Sequence, residues 1–443
     1  MSRELIETKS PRERVLVCGV LLDGQSPEYG GELSEIRGLV RAANGEVVGP
    51  GIVQKRDKPS PATLMGRGKV EEIAEEIERY KPDAVVVDND LTPAQGRNLE
   101  KAWCVRIVDR SELILDIFAR RAQTRQARLQ VELAQNEYMF PRLRRMWTHL
   151  ERMEGAIGAR GPGETQLETD RRLLNKRITD LKRQLAEIEA RKLREVRSRS
   201  EHFTVGLVGY TNAGKSTLLN KLTGADELVA DMLFATLDTR TRQWELSDGR
   251  RVLLSDTVGF LRRLPHHLVA SFHATLEEML NADYLLHVVD ASHPDAAEQM
   301  SAVNQVLSSF SHHTRADAIV FNKVDRVEDR IELHSLLQGV EQEVIFLSAS
   351  TGEGIDRLDE LLRKQLDERS AVVELRFPVS NGRLHAMIKK LGVVSEESVV
   401  GDTHMLMRAR IDQGALGNLL RDGGPTLECE YLETPSVPIS AEE

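Results

Sequence analysis

The chain has 443 residues, enough for two to four domains at about 100–200 residues each. Its formal charge is −10, and its three cysteines (Cys18, Cys104 and Cys429) are far apart and lack metal-ligand spacing, which excludes a disulfide framework and a zinc ribbon. The opening MSRELIETKSPRER has no apolar centre for a signal peptide, and no run approaches the roughly 18–20 apolar residues of a membrane span, so a cytoplasmic protein that does not cross a membrane is expected.

Residues 14–20 (RVLVCGV) predict a buried strand. Residues 33–43 have helical spacing up to a stop at Gly45, and EVVGPGIV reads as a strand. VEEIAEEIERY (70–80) predicts a charged amphipathic helix that ends before Pro82, and DAVVVD (83–88) and CVRIVD (104–109) predict short buried strands. Strands alternating with helices make residues 1–109 an α/β domain with a largely parallel sheet.

Residues 110–201 differ. Leu113 to Phe140 lacks breakers, has a weak seam (Ala122, Leu129, Leu133), and is predicted to close at Pro141. Leu174, Ile178, Leu181, Leu185 and Ile188 step by 4, 3, 4 and 3, a heptad seam on a second long helix. Between the two lies PRLRRMWTHLERMEGAIGARGPGET, so an antiparallel helical hairpin with a basic loop is expected. Residues 118–200 hold 20 Arg or Lys against 11 Asp or Glu, whereas the rest of the chain holds 40 against 59. Such segregation suits contact with a polyphosphate surface, and Arg142, Arg144, Arg145 and Arg160 are the candidate RNA-binding residues. The plain alternative is a solvated coiled coil. Residues 202–369 again alternate strands and helices, and 370–443 form a small C-terminal α/β domain with a strand at VVELRFPV and a helix that ends at Gly392.

FTVGLVGYTNAGKST runs strand, glycine loop, helix, and fits G-x-x-x-x-G-K-[ST] over Gly209, Tyr210, Thr211, Asn212, Ala213, Gly214, Lys215 and Ser216, with Thr217 next to it as a further GTP-binding candidate. Glycines let main-chain N–H groups close around phosphate oxygens, Lys215 reaches the β- and γ-phosphates, and the Ser216 hydroxyl binds Mg²⁺. The helix that follows points its positive end at the phosphates. DTVG supplies Asp256, Thr257, Val258 and Gly259. Asp256 holds Mg²⁺ through a water, and the Gly259 N–H meets the γ-phosphate. LFATLDT brings Phe234, Ala235, Thr236, Leu237 and Asp238, with Thr236 as a further Mg²⁺ ligand. NKVD supplies Asn322, Lys323, Val324 and Asp325, and the Asp325 carboxylate accepts from guanine N1 and the 2-amino group, a donor pair that adenine lacks. Ser348, Ala349 and Ser350 complete the set, with the Ala349 N–H facing guanine O6. The ordered set, each segment after a predicted strand, predicts a P-loop GTPase that binds GTP and GDP, with Lys215, Thr236 and Gly259 as the candidate catalytic groups. Many GTPases orient the attacking water with a glutamine after DTVG. Here that residue is Phe260, which cannot hydrogen-bond water, so hydrolysis is expected to be slow or to rely on a partner.

TNAGKS resembles the loop of potassium-activated GTPases, which implies K⁺ at Asn212; the alternative is an asparagine that stabilises the turn. The chain as far as about residue 370 resembles the HflX family, GTPases related to translation factors. The likeness is carried by PATLMGRGKVEEI (61–73), LTPAQGRNLE (91–100), DRSELILDIFARRAQTRQARLQVELAQ (109–135), GARGPGETQLETDRR (158–172), GYTNAGKST, LFATLDT, DTVGFLRRLP and ADYLLHVVDAS. Phe260 fits, since the family carries an apolar residue there. In two places the sequence departs from the family: LERMEGAIG (150–158) keeps two glycines and adds Glu151 and Glu154, and Arg240 stands where a Pro–Thr sequence is common. The resemblance implies a GTPase, expected to be a monomer, that binds the large ribosomal subunit and its rRNA and splits stalled or idle ribosomes. A GTP-gated large-subunit assembly or RNA-binding factor is the competing expectation, and an adaptor whose hairpin binds another protein is a third.

Overall fold

The computed structural model describes residues 12–22, 33–146, 162–197, 203–225, 233–234, 240–256, 259–262, 282–308, 315–327, 337 and 339–434. The N-terminal sheet is parallel. It is built from β1 (Arg14–Leu22), β2 (Glu46–Val47), β3 (Ile52–Arg56), β4 (Ala84–Val87) and β5 (Arg106–Asp109) in the order β2-β1-β4-β5, with β3 on the same side of β1 as β2. The single strand expected from EVVGPGIV is thus two pieces, divided around Gly49, whose φ of 71° lies in the left-handed region. Helices α1 (Ser34–Ala42), α2 (Arg67–Tyr80) and α3 (Pro93–Trp103) cover the sheet. A Thr92–Gln95 capping box with Pro93 at the first position fixes the start of α3.

The helix predicted from Leu113 to Phe140 is two helices, α4 (Arg110–Arg121) and α5 (Arg125–Met146). Ala122 is extended, and the Thr124 hydroxyl accepts from Ala127 N, so a threonine cap restarts the helix where no Gly or Pro marks a break. Helix α4 packs its Leu113, Ile114, Ile117 and Phe118 into the core of the N-terminal sheet, and the hairpin proper begins only at α5. Pro141 does not close α5 either; the helix runs five residues past it to Met146. Proline removes one helical N–H and opens the preceding turn. The Arg142 guanidinium donates to Tyr138 O at 3.0 Å in that turn. Helix α6 (Pro162–Arg197) returns along α5, with Ile178, Leu181, Leu185 and Ile188 packed on Leu129 and Leu133. Arg177 is bidentate to Glu132 at 2.6 and 2.7 Å, and Lys182 pairs with Glu137. Four of the five predicted seam residues thus pack on α5, Leu174 being outside that cluster, whereas Ala122 lies in the N-terminal core.

The third unit has a six-stranded sheet from β6 (Phe203–Gly209), β7 (Arg240–Glu245), β8 (Arg251–Asp256), β9 (Tyr284–Asp290), β10 (Ala318–Asn322) and β11 (Glu343–Phe346), in the order β11-β10-β9-β6-β8-β7 with β7 alone antiparallel. Helices α7 (Lys215–Thr223), α8 (Ala296–Leu307) and α9 (Ile355–Arg369) flank it. The loops at the carboxyl ends of β6, β8, β10 and β11 gather on one edge, where open α/β sheets bind ligands. The C-terminal unit runs β12 (Ser370–Pro378), α10 (Gly382–Leu391), β13 (Gly392–Val400), β14 (His404–Asp412), α11 (Gln413–Gly423) and β15 (Glu428–Glu433), in the sheet order β13-β14-β12-β15. This is the split βαβ arrangement, antiparallel throughout. Among the described residues no helix is long and apolar enough to cross a membrane.

Candidate nucleotide-binding site

Strand β6 lies between β8 and β9, and its buried Val205, Leu207 and Val208 anchor the start of the glycine loop in the core. Gly214 has a φ of 94°, and a Cβ there would run into Asn322 Nδ2, so the last turn before α7 admits no side chain. Gly259 lies so close to the loop that a Cβ would meet Thr211 Cα at 2.7 Å. The following residue is zipped to the loop: Thr211 N donates to Phe260 O at 2.8 Å, and Phe260 N donates to Gly209 O at 3.1 Å. The Phe260 ring is buried in the apolar core shared with the N-terminal unit.

Lys215 opens α7, and its Nζ donates to Gly209 O (2.9 Å) and Tyr210 O (2.8 Å), across the loop. Burial pushes this amine down to about 8, opposed by Asp256. Ser216 Oγ donates to Asp256 Oδ2 at 2.6 Å, so the hydroxyl at the head of α7 and the carboxylate at the end of β8 converge. Two hard oxygens at one point beside a phosphate loop suit Mg²⁺. His287 on β9, next to Val208 in the sheet, is buried, and burial and then Lys215 push it down to about 3, so the imidazole is neutral.

One amide links the two base-side segments to the phosphate loop. Asn322 is buried; its Nδ2 donates to Ala213 O at 2.8 Å, and its Oδ1 accepts from Ala349 N at 2.9 Å. The Ala349 N–H expected to face guanine O6 is therefore taken by Asn322. Lys323 Nζ donates to Asn212 O at 2.8 Å and pairs with Asp290 at 2.6 Å. Asp325 is exposed in the short turn that follows β10. Ser348 and Ser350 share a 2.9 Å hydroxyl contact, Val324 packs partly buried beside the turn, and Thr217 follows Ser216 in α7. Asn212 is exposed, with a left-handed φ of 63°.

Two expected site residues lie elsewhere. Phe234 does not face the nucleotide loop. Its ring is 2% exposed and meets Phe118 of α4 edge-to-face at 4.6 Å, because an apolar ring finds its burial in the core between the two units. Arg142 is not a free RNA ligand. Its guanidinium lies 3.4 Å from the Tyr138 ring centroid and donates to Leu91 O (2.8 Å) and Asp109 Oδ2 (2.9 Å). Asp109 also caps α4 through Glu112 N and accepts from Leu91 N, and burial pushes its carboxyl up against the pull of Arg142. Arg142 thus neutralises a buried carboxylate at the base of the hairpin. The expected roles of Ala235, Thr236, Leu237, Asp238, Thr257, Val258 and Arg160, and the side chains of Arg144 and Arg145, lie outside the described residues. Asp290, which aims Lys323, was not singled out from the sequence, although its place at the end of a buried strand in VVDAS was a usable signal.

Comparison with known families matches residues 31–119 to the N-terminal region of GTP-binding GTPases, 121–199 to their middle region, and 204–323 to a family described as 50S ribosome-binding GTPases. "GTPase HflX" of Magnetococcus marinus is 52% identical over 331 residues, covering 74% of this chain and 76% of that protein. "GTPase HflX" of Escherichia coli is 44% identical over 382 residues, covering 86% of this chain and 89% of that protein. Among solved structures, a GTP-binding protein from Sulfolobus solfataricus in complex with GDP aligns with 79% of this chain and 97% of its own, at 21% identity and a TM-score of 0.41. With matched segments running from residue 31 to 323 and curated relatives above 40% identity, the chain belongs to the HflX family of GTP-binding, GTP-hydrolysing enzymes.

Proposed function

We propose that this GTPase holds Mg²⁺-GTP against Gly209–Thr217, Asp256–Gly259, Asn322–Asp325 and Ser348–Ser350, and that it works on the large ribosomal subunit in the cytoplasm, separating stalled or idle ribosomes. The observation that carries the site is the 2.6 Å meeting of Ser216 Oγ and Asp256 Oδ2 beside Lys215, on a loop locked to the base-side turn by Asn322. Ser216 and Asp256 would hold Mg²⁺, which would supply positive charge against the phosphates. The Lys215 amine exchanges its two main-chain acceptors for phosphate oxygens, and Gly259 presents its N–H from a position fixed by the Phe260–loop pairing. Asp325, exposed beside the braced Lys323, accepts from the guanine edge. With the Phe260 ring buried away from the site, the chain's own residue after DTVG does not orient water, so fast turnover waits on a group brought by the partner.

The ribosomal reading is supported by the family description matched at 204–323 and by the basic hairpin on an acidic body. Arg144, Arg145 and Arg160 remain its candidate RNA contacts. GTP turnover with and without purified large subunits, in KCl and in NaCl, tests both parts. Stimulation by the subunit is expected. Equal rates with and without it would remove the ribosome from the account, and equal rates in the two salts would remove K⁺ at Asn212.

A further inference from the structure

The N-terminal and nucleotide-binding units share one apolar core, and at its edge sits a closed ring of hydrogen bonds. Arg110, the first residue of α4, is 1% exposed. It donates to Asp88 Oδ1 at 2.5 Å, to Glu35 on α1, and to the main-chain oxygen of Arg262 at 2.7 Å. The Tyr210 hydroxyl donates to the other oxygen of Glu35 and accepts from Arg262 N at 2.8 Å. Both main-chain groups of Arg262 are therefore held by side chains, one from the phosphate loop and one from the N-terminal unit.

Tyr210 is the second residue of the phosphate loop, and Arg262 is three residues beyond Gly259. Between these points the two segments are paired through Thr211, Phe260 and Gly209. The buried Asp88 and the partly buried Glu35 face one guanidinium, and the Tyr210 O–H supplies Glu35 with a further donor, so removing Arg110 or Tyr210 takes a hydrogen bond from these carboxylates. On the other side of the same core, Leu233 and Phe234, which precede Thr236, are packed on the N-terminal unit through Phe118.

We propose that Glu35 and Arg110 of the N-terminal unit are positioning residues of GTP hydrolysis, acting through Tyr210 to place Gly259 against the γ-phosphate. This rests on the reading of 209–217 and 256–259 as the phosphate site. The ring acts on the hydrolytic geometry, because it ties Tyr210 of the phosphate loop to the segment next to Gly259, whereas Asn322 and Lys323 tie that loop to the base-side turns at Ala213 and Asn212.

The test is single-turnover GTP hydrolysis by the full chain carrying Tyr210→Phe, Glu35→Gln, or both, with GDP affinity and thermal melting measured in parallel. Glu35→Gln keeps the side-chain shape and an acceptor for Arg110, so it guards against simple misfolding. The expected result is a fall in the hydrolysis rate of about tenfold for each single variant, no further fall in the double, and GDP affinity within about twofold of the parent. An unchanged or raised rate would overturn the proposal, as would rate and GDP affinity falling together in step with melting temperature. Ser216→Ala, assayed for Mg²⁺-dependent GTP binding, tests the site reading separately. If that binding survives intact, the site reading fails whatever the ring variants do.

Discussion

Asn322 offers a quantitative test of how the nucleotide site is organised. Replacing it with alanine deletes the bond to Ala213 O and the bond from Ala349 N, and leaves both main-chain groups in buried surroundings. An unpaired buried donor or acceptor costs about 1–3 kcal/mol, so the two together amount to roughly 2–6 kcal/mol. The phosphate loop and the Ser348–Ser350 turn no longer share a brace, and the bound nucleotide must order both. At the lower end this weakens GDP binding by about 30-fold, since each 1.4 kcal/mol is tenfold. A fluorescent GDP analogue titrated against the purified variant reads the change, and a melting curve shows how much is lost before any ligand is added. If affinity stays within threefold and the melting temperature does not move, the amide is not the brace described above.

Three further outcomes follow from individual side chains. Asp325→Asn replaces two acceptors by a donor and an acceptor, so guanine binding should weaken by about 2 kcal/mol or more, while xanthine nucleotides, which present an oxygen in place of the 2-amino group, should compete better; unchanged base preference would show that Asp325 does not read the base. Burial sets the Lys215 amine of the free protein at about 8, and bound phosphates favour its charged form. Below that pH the amine already carries its proton. Above it, binding must take one up, so affinity should fall by up to about tenfold per pH unit; GDP titrations from pH 7 to 9 in buffers of different ionisation enthalpy would detect the proton, and a flat profile would contradict the burial argument. Arg142→Met leaves the Asp109 carboxylate buried without its cation, at a cost of about 3 kcal/mol, so melting should drop while the salt dependence of ribosome binding stays that of the parent; the reverse pattern would restore Arg142 to the RNA-binding set.

The candidate nucleotide site is legible in the sequence because its motifs are local. A strand, a glycine loop and a helix start lie within fifteen residues, and each later segment follows its own buried strand. The hairpin seam was legible for the same reason, since a heptad step needs only one helix to show itself. What stayed hidden depends on distant partners. Pro141 reads as a stop, yet the helix passes through it beside Arg142, whose guanidinium is anchored by Asp109, 33 residues away. Phe234 sits in a nucleotide motif, but its ring is claimed by Phe118. Glu35 meets Arg110 across 75 positions and Tyr210 across 175, and no spacing rule connects them. The break after α4 rests on the Thr124 cap and not on a Gly or Pro, so the breaker-free stretch reads as one helix.

The central claim is that GTP held at Lys215, Ser216 and Asp256 drives work on the ribosome. Light scattering of intact ribosomes mixed with the full chain measures it directly. The account predicts a drop in scattering with GTP that is absent with GDP and lost in Ser216→Ala. A drop of equal size with GDP, or none with GTP while the chain sediments with the large subunit, would contradict it and leave a binding or assembly role in its place.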